Sequence, residues 1–348
     1  MRSIPTDSRA LLYKTLALVV FGTIGALAPG YIYGSAHETD LMRYLHKACV
    51  ATPDPAGEEV LYRFDWFTRK IGVEEADQRL CAVVTVFQLV LLPSPSPTMM
   101  YFFLTHAPLV LLPMVEGMRR GARFLVWAPM LLWFLAQVLT IGATAPWYWI
   151  ALILTSGWSG SGPKQAITRR DAQVVAASFV LGGIIPFVAM IYGDSVLATI
   201  LWQFFPVLIS IAGYICVAVI PKQKDDSKRN GYPLLKKVYT LAFIAALTGQ
   251  KYARNPLQIL DILQPASLTI SAREATDIFL KWDLVFGYGV FMLGSCWFAR
   301  NAKELVILVG WNVVGGFFLG PGAVLALTGL WRERTMVEMD DGEKEKST

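Results

Sequence analysis

Long apolar stretches separated by mostly short polar connections dominate the pattern of the chain. Most of them approach the roughly 20 residues that an α-helix needs to cross a bilayer. They cover residues 11–33, 80–92, 98–115, 123–143, 146–157, 172–192, 196–220, 234–247, 278–299 and 305–331. The pattern predicts an all-α fold, a polytopic transmembrane helical bundle of about nine to ten spans.

The number of spans depends on residues 128–157, which form either two spans or one long helix kinked at Pro146. Lys and Arg concentrate in the cytosolic loops of membrane proteins. With ten spans, the basic loops at 35–79, 117–123, 158–171, 221–237 and 300–303 all share one side. With nine spans the basic residues divide almost evenly. The charge pattern therefore favours ten spans, with both termini in the lumen.

The predicted organisation is a single transmembrane domain over residues 1–334. Two long connections, 35–78 and 251–277, mix apolar and polar residues and are predicted to lie at the membrane interface. Residues 335–348 are charged, and we expect them to form a disordered acidic tail. Integration into a membrane, with the endoplasmic reticulum as the expected location, follows from this organisation.

Composition agrees with the membrane prediction. Of the 348 residues, 55% are hydrophobic and only 16% are charged, against about 25% charged in an average globular protein. The net charge of +5 comes from loop Lys and Arg, so a nucleic-acid partner is not indicated. The four cysteines form no CxxC motif or Cys/His cluster, so neither a zinc site nor a disulfide framework is predicted. We expect no metal and no cofactor.

Ionisable residues inside membrane spans are energetically costly and usually functional. Asp283 lies about one turn inside the ninth apolar stretch, and Glu116 ends the third. Both are candidate catalytic residues, although Glu116 has the alternative of pairing with Arg119 or Arg120. Two further acids have local explanations, as a helix start and a turn residue: Asp171 and Asp194.

Buried amides and aromatic rings form a second group of candidates. The segment 202–206 lies within a predicted span and combines two kinds of aromatic ring, an amide and a helix-breaking proline. Each residue of the group also has a structural alternative, which is an interhelical hydrogen bond or packing. The candidate substrate-binding residues are Gln88, His106, Gln137, Trp202, Gln203, Phe205 and Trp282.

Several catalytic motifs are missing from the sequence. There is no Asp-rich segment on an apolar helix, so magnesium-assisted ionisation of a diphosphate lacks its usual carboxylates. There is also no Walker motif, GxSxG or HExxH. These absences count against ATP hydrolysis, acyl transfer, prenyl transfer and zinc proteolysis.

Four separate segments together resemble one family. They are the EGxRR-type helix end at 113–121, the pair 182–186 and 202–206, the FLxWD-type segment 279–283, and the final helix with 320–323 and 330–333. The chain resembles, over roughly residues 76–334, the fungal membrane-bound terpene cyclases of meroterpenoid biosynthesis, the group of the ascochlorin, ascofuranone and macrophorin pathways. Lys281 departs from the Gln expected before Trp282 and Asp283.

The resemblance implies a cyclisation that starts with protonation. The substrate would be a lipophilic prenylated aromatic, such as a farnesylated phenol, or its terminal epoxide. Asp283 is the preferred acid, and no metal, diphosphate or redox cofactor takes part. Aromatic faces stabilise cations by roughly 0.5–2 kcal/mol each, which suits this chemistry.

One rival interpretation is a transporter that exports a lipophilic metabolite. It explains the spans and the buried polar residues equally well, but the sequence shows no internal repeat.

Overall fold

The computed structural model describes residues 6–50, 64–119, 129–155, 166–193, 195–222, 230–252 and 270–347. Within these ranges the secondary structure is helical, apart from an isolated bridge between Thr168 and Asn230. The prediction of an all-α fold is confirmed. Arg120, Asp194, the basic loop 223–229 and most of the connection 251–277 lie outside the described residues.

The helices follow one another in chain order. The first half contains α1 Thr6–Glu38, α2 Leu41–Cys49, α3 Trp66–Ile71, α4 Glu74–Leu91, α5 Pro97–Gly117, α6 Pro129–Leu139 and α7 Ile141–Thr155. The second half contains α8 Arg169–Tyr192, α9 Val196–Gln203, α10 Phe205–Val219, α11 Tyr232–Tyr252, α12 Ala272–Ser295, α13 Ala302–Leu319 and α14 Pro321–Ser347.

Polar side chains define where several helices begin. Ser96 accepts a hydrogen bond from the Met99 amide at the start of α5. Ser271 and Glu274 form a capping box at the start of α12, and Thr168 accepts from the amide of Asp171 at the start of α8. Such caps satisfy amide groups that the first helical turn leaves without a partner. The interpretation of Asp171 as an acid in the first turn of a helix is confirmed.

The number of membrane spans differs from the prediction. Five helices in the described ranges are long and apolar enough to cross a bilayer, namely α1, α5, α8, α12 and α13. The pair α9 and α10, bent by 65° at Phe204, makes six if it counts as one span. Of the nine to ten predicted spans, the described ranges thus support five to six. Helices α6 and α7 have only 11 and 15 residues, and α4, α11 and α14 carry charged residues within them.

The break between α6 and α7 lies at Thr140 and not at Pro146. Thr140 has a φ of 72°, in the left-handed region, which ends α6 and redirects the chain. Pro146 lies inside α7 as its sixth residue, and the helix continues past it to Thr155. The single long helix kinked at Pro146 is therefore not formed.

The contacts between α1 and α12 show at which end of the bundle two of the connections lie. Tyr33 packs against Phe279 near the start of α12, whereas Phe21 packs against Trp297 just past its end. The two helices are therefore antiparallel, and the connection after α1 lies at the opposite end from the connection 299–301. The prediction that these two connections share one side is wrong. The connection after α1 lies near the start of α12, the connection 299–301 lies at its end, and α12 runs from one end of the bundle to the other.

A disulfide corrects the prediction for the cysteines. Cys49 at the end of α2 is bonded to Cys81 in α4. They are 32 residues apart, and the spacing gives no signal of the pairing. Leu41 and Leu45 of α2 are buried on the same side as Cys49, so part of the connection 35–78 is an amphipathic helix packed on the bundle.

The last apolar stretch is divided in two. Gly320, with a φ of 85°, separates α13 from α14. Helix α14 continues to Ser347, so the segment 335–348 that was predicted to be disordered is helical as far as that residue. An ion pair between Arg334 and Glu338, one turn apart, supports the helix beyond its buried part. Such pairs stabilise helices by a few tenths of a kcal/mol.

Helices α8 and α10 cross in close backbone contact. A Cβ atom at Gly182 would lie 2.3 Å from the backbone nitrogen of Ile209. Only glycine permits this approach, which explains the first glycine of the segment 182–186. The crossing holds α10 against α8, and it thereby fixes the bend at Phe204, beside which Trp202 and Phe205 lie.

Candidate functional site

An aromatic cluster occupies the interior between α5, α6 and the α9–α10 bend. We define it by Phe102, His106, Trp133, Trp202 and Phe205. The His106 ring lies 4.6 Å from the Phe102 ring, 5.1 Å from Trp133 and 6.4 Å from Phe205, measured between ring centroids. The Trp202 ring lies 5.2 Å from that of Phe205. Three of the predicted substrate-binding residues, His106, Trp202 and Phe205, are thus brought together.

Further rings extend the aromatic cluster in two directions. Phe87 of α4 lies 5.2 Å from Trp202. On the other side, Trp133 stacks with Phe291 of α12 at 6.4 Å, and Phe291 stacks with Tyr148 of α7 at 6.2 Å. Aromatic faces therefore follow one another from α4 to α7 through the interior. The negative faces of such rings attract cations.

Several polar atoms in and beside the cluster have no hydrogen-bond partner among the described residues. They are both ring nitrogens of His106, both amide atoms of Gln203, the indole nitrogen of Trp133 and the hydroxyl of Tyr148. A buried polar group without a partner costs about 1–3 kcal/mol. Buried polar groups in folded proteins are rarely left in this state. Because several such groups lie in and beside the aromatic cluster, we treat this cluster as the candidate site.

Asp283 is buried between α12 and the start of α7. Its Oδ1 accepts a hydrogen bond from the amide of Gly142, at 2.6 Å, in the first turn of α7. The positive end of the helix dipole lies at this position. In the part of the chain that the structure describes, no basic side chain lies within ion-pair distance of Asp283.

Glu116 lies in a buried group of four charges, which we call the ionic quartet. Its Oε1 lies 3.0 Å from Nε of Arg332 and 3.0 Å from Nε of Arg119. Arg119 also pairs with Glu333. Two acids and two bases balance in charge, and all four side chains are at most 8% exposed. The structural alternative for Glu116, an ion pair with Arg119, is thus observed. Arg332 forms a second ion pair with the same carboxylate.

The two candidate acids are not neighbours. Asp283 contacts α7 at Gly142, whereas Arg332, the partner of Glu116, lies over the ring of Phe298 just past the end of α12. Asp283 and Phe298 are 15 residues apart in the sequence, which corresponds to about 22 Å of helix. Asp283 and Phe291 lie eight residues apart on α12, or about 12 Å along the helix. Asp283 therefore lies beyond one side of the aromatic rings and Glu116 beyond another.

The other predicted site residues have separate surroundings. The amide of Gln88 donates to the hydroxyl of Thr199 at 2.5 Å, an interhelical bond between α4 and α9. Trp282 packs against Tyr31 of α1, away from the aromatic cluster. Gln137 is half-buried on α6. For Gln88 the structural alternative is observed.

Some residues of the site were not predicted. Arg332 and Glu333 were read as part of a motif and not as partners of Glu116, although two charges inside an apolar helix are a usable signal. Trp133 and Tyr148 were not among the candidate residues predicted from the sequence. No feature of the sequence alone separates them from the other aromatic residues.

Metal binding has no obvious place in the described ranges, where no three His, Cys, Asp or Glu side chains are grouped so as to hold an ion.

Comparison with known proteins gives a family and a distant relative. A protein-family profile for the CtvD domain matches residues 66–337. The chain is also 23% identical over 250 residues to the FAD-dependent monooxygenase verC1 of Penicillium polonicum. That alignment covers 64% of this chain but 30% of the relative, so the chain spans less than a third of the relative's length. No solved structure matches the chain.

Proposed function

The chain belongs to the CtvD domain family, and we propose that it is a membrane-embedded terpene cyclase. Its reaction would be the proton-initiated, metal-independent cyclisation of a prenylated aromatic compound or its terminal epoxide. The observation that carries the proposal is a buried carboxyl group, Asp283, that has no basic partner in the described ranges and lies on the same helix as a ring of the aromatic interior.

The first step in this reaction is a proton transfer from Asp283. The proton goes to the epoxide oxygen or to the terminal alkene, and a carbocation forms on the substrate. Positioned general acids typically accelerate reactions by about 10²–10⁴-fold. Among the two candidate acids, Glu116 suits this step less well, because Arg119 and Arg332 both hold its carboxylate.

The second step is the movement of the cation along the prenyl chain as rings close. The faces of Trp133, Trp202 and Phe205 could each stabilise a passing cation by roughly 0.5–2 kcal/mol. Burial of these rings keeps water away from the cation, and water would otherwise end the reaction early. A lipophilic substrate reaches such a site directly from the bilayer.

The name of the distant relative adds support of a different kind. A flavin-dependent monooxygenase inserts oxygen into organic substrates, and an epoxide is one product of such chemistry. The matched part is less than a third of that relative, so the oxygenation itself is not proposed for this chain. An epoxide made by such an enzyme would suit the proposed cyclase as substrate.

Incubation of membranes that contain the protein with farnesylated phenols and their terminal epoxides tests the proposal. We expect a product of unchanged mass and altered retention, formed equally in the presence of EDTA. Membranes without the protein are the control. Loss of activity in EDTA that magnesium restores would overturn the mechanism. Movement of labelled substrate across sealed vesicles without conversion would favour the exporter instead.

A further inference from the structure

His106 differs from the other two histidines of the chain. His37 and His46 are exposed, whereas His106 is 9% exposed in the middle of α5. Neither of its ring nitrogens has a hydrogen-bond partner in the part of the chain that the structure describes. A histidine that only fills space in a helical bundle usually bonds to a carbonyl or hydroxyl group, so packing alone does not explain His106.

The surroundings of His106 are those of a cation site. Phe102, Trp133 and Phe205 all have ring centroids within 6.4 Å of the imidazole. A cation held by these rings would lie beside an imidazole nitrogen. Neutral imidazole carries a lone pair on one of its two nitrogens and is therefore able to accept a proton.

The geometry points to His106 as the base that removes the proton when the final carbocation is quenched, an inference that rests on the proposed cyclisation. A C–H bond next to the cationic carbon breaks, its electron pair forms a C=C bond, and the proton moves to a ring nitrogen. Asp283 supplies one proton and His106 removes one, so substrate and product have the same composition. The proton returns from imidazolium to the Asp283 carboxylate through solvent between turnovers.

Other groups of the aromatic cluster fit this role less well. The amide of Gln203 and the indole of Trp133 are buried and also lack partners, but neither is a useful base. Asp283 lies about 12 Å along α12 from the ring of Phe291, and in the proposed reaction it has already released its proton in the first step. Separation of acid from base prevents the cation from returning its proton before the rings have closed.

Two variants test the inference. His106→Phe keeps an aromatic ring of similar size and removes the base. His106→Ala leaves room for imidazole added to the medium. His46→Phe is the matched control, because it replaces an exposed histidine. Substrate consumption and product identity are both measured, at equal amounts of protein in the membrane.

We expect His106→Phe to form the native product about 10²–10⁴-fold more slowly, the range typical of general base catalysis. Substrate consumption should fall less, because the cation is then quenched elsewhere and gives isomeric alkenes or water adducts. Added imidazole should restore the native product in His106→Ala.

Native product at an unchanged rate in His106→Phe would overturn the role of His106. Equal loss of consumption and product, with no new products and no rescue by imidazole, would show a packing role instead. If the wild-type protein converts no substrate, the proposed function fails and this inference fails with it. Wild-type conversion with an unaffected His106→Phe variant refutes the inference alone.

Discussion

Asp283 and Glu116 are buried to the same degree, with 7% and 6% of their surface exposed, yet their surroundings differ. Glu116 contacts two guanidinium groups in the ionic quartet. Asp283 accepts a hydrogen bond from the backbone amide of Gly142 at the start of α7, and it contacts no guanidinium group among the described residues. Burial alone therefore does not identify a catalytic acid. The partners decide whether a carboxyl group is committed to holding a charge or is available to release a proton.

The same comparison predicts which of the two substitutions affects folding and which affects catalysis. Removal of one member of a buried ion pair leaves the partner charge without compensation, at a cost of about 3–5 kcal/mol. Replacement of Asp283 by a neutral residue leaves no basic partner unpaired among the described residues. We therefore expect substitution of Asp283 to affect turnover first, and substitution of Glu116 to affect folding first.

Asp283→Asn should produce the largest effect. Asparagine keeps the volume and an oxygen that accepts from the Gly142 amide, but it has no proton to transfer. Turnover should fall by about 10²–10⁴-fold, as for other general acids, while the protein accumulates normally. Product formation per unit of protein in the membrane is the measurement. Retention of more than about a tenth of wild-type turnover, a loss smaller than any expected general-acid effect, would exclude Asp283 as the donor.

Asp77→Asn is the matched control for that experiment. Asp77 is also a buried aspartate at a helix start, where it accepts from the amides of Phe67 and Thr68. Burial acts to raise the pKa of Asp77, but the hydrogen bonds from Thr68 and Phe67 outweigh it, and the pKa is lowered. The control should keep its turnover per molecule, even if some stability is lost.

Glu116→Gln should act mainly through stability. The change leaves Arg119 and Arg332 with Glu333 as the remaining acid of the quartet, and the loss is expected to approach about 3–5 kcal/mol. Thermal denaturation in detergent and accumulation in membranes are the measurements. Glu338→Gln is the control, because it breaks an exposed ion pair with Arg334 on α14, the helix that also carries Arg332. Exposed pairs contribute about 0–1 kcal/mol.

An opposite result for Glu116→Gln would reverse the comparison. If the variant is as stable as wild type and turns over more slowly than Asp283→Asn, Glu116 is the acid and the ionic quartet is part of the catalytic machinery. Both measurements are therefore made on the same preparations.

The sequence predicts the helices better than it predicts their partners. Apolar length identified most helical segments, because helix formation and burial depend on local composition. It did not locate the break at Thr140, since a left-handed threonine has no local signal comparable to that of Pro146. It also missed the pair Cys49–Cys81, which depends on how α2 packs against α4.

The candidate site shows the same division. Placement within a span singled out Asp283 and Glu116 as unusual, and the structure places both in the interior. The sequence could not show that Glu116 meets Arg332, because 216 residues separate them. For the same reason, it could not distinguish Trp202 and Phe205, which share an interior with His106, from Trp282, which packs on α1.

Gly142→Ala tests the geometry that distinguishes Asp283, with a smaller expected effect. A Cβ atom at this position would lie 2.8 Å from Cβ of Phe286 and 3.0 Å from the backbone oxygen of Asp283. Helix α7 would have to move away from α12, which would lengthen the hydrogen bond from the Gly142 amide to Asp283. Overpacking of this kind typically costs about 1–3 kcal/mol.

Gly289→Ala is the control for that variant, because a Cβ atom there meets nothing within 4 Å. Gly289 lies on α12, the helix that carries Asp283. In a helix interior, alanine is also more favourable than glycine by about 0.5–1 kcal/mol. We expect Gly142→Ala to lower turnover by more than its loss of thermal stability accounts for, since the displaced amide no longer orients the carboxyl group. Gly289→Ala should be at least as stable as wild type and equally active. If Gly142→Ala loses stability and keeps full turnover, the amide only anchors α7, and the orientation of Asp283 does not depend on it.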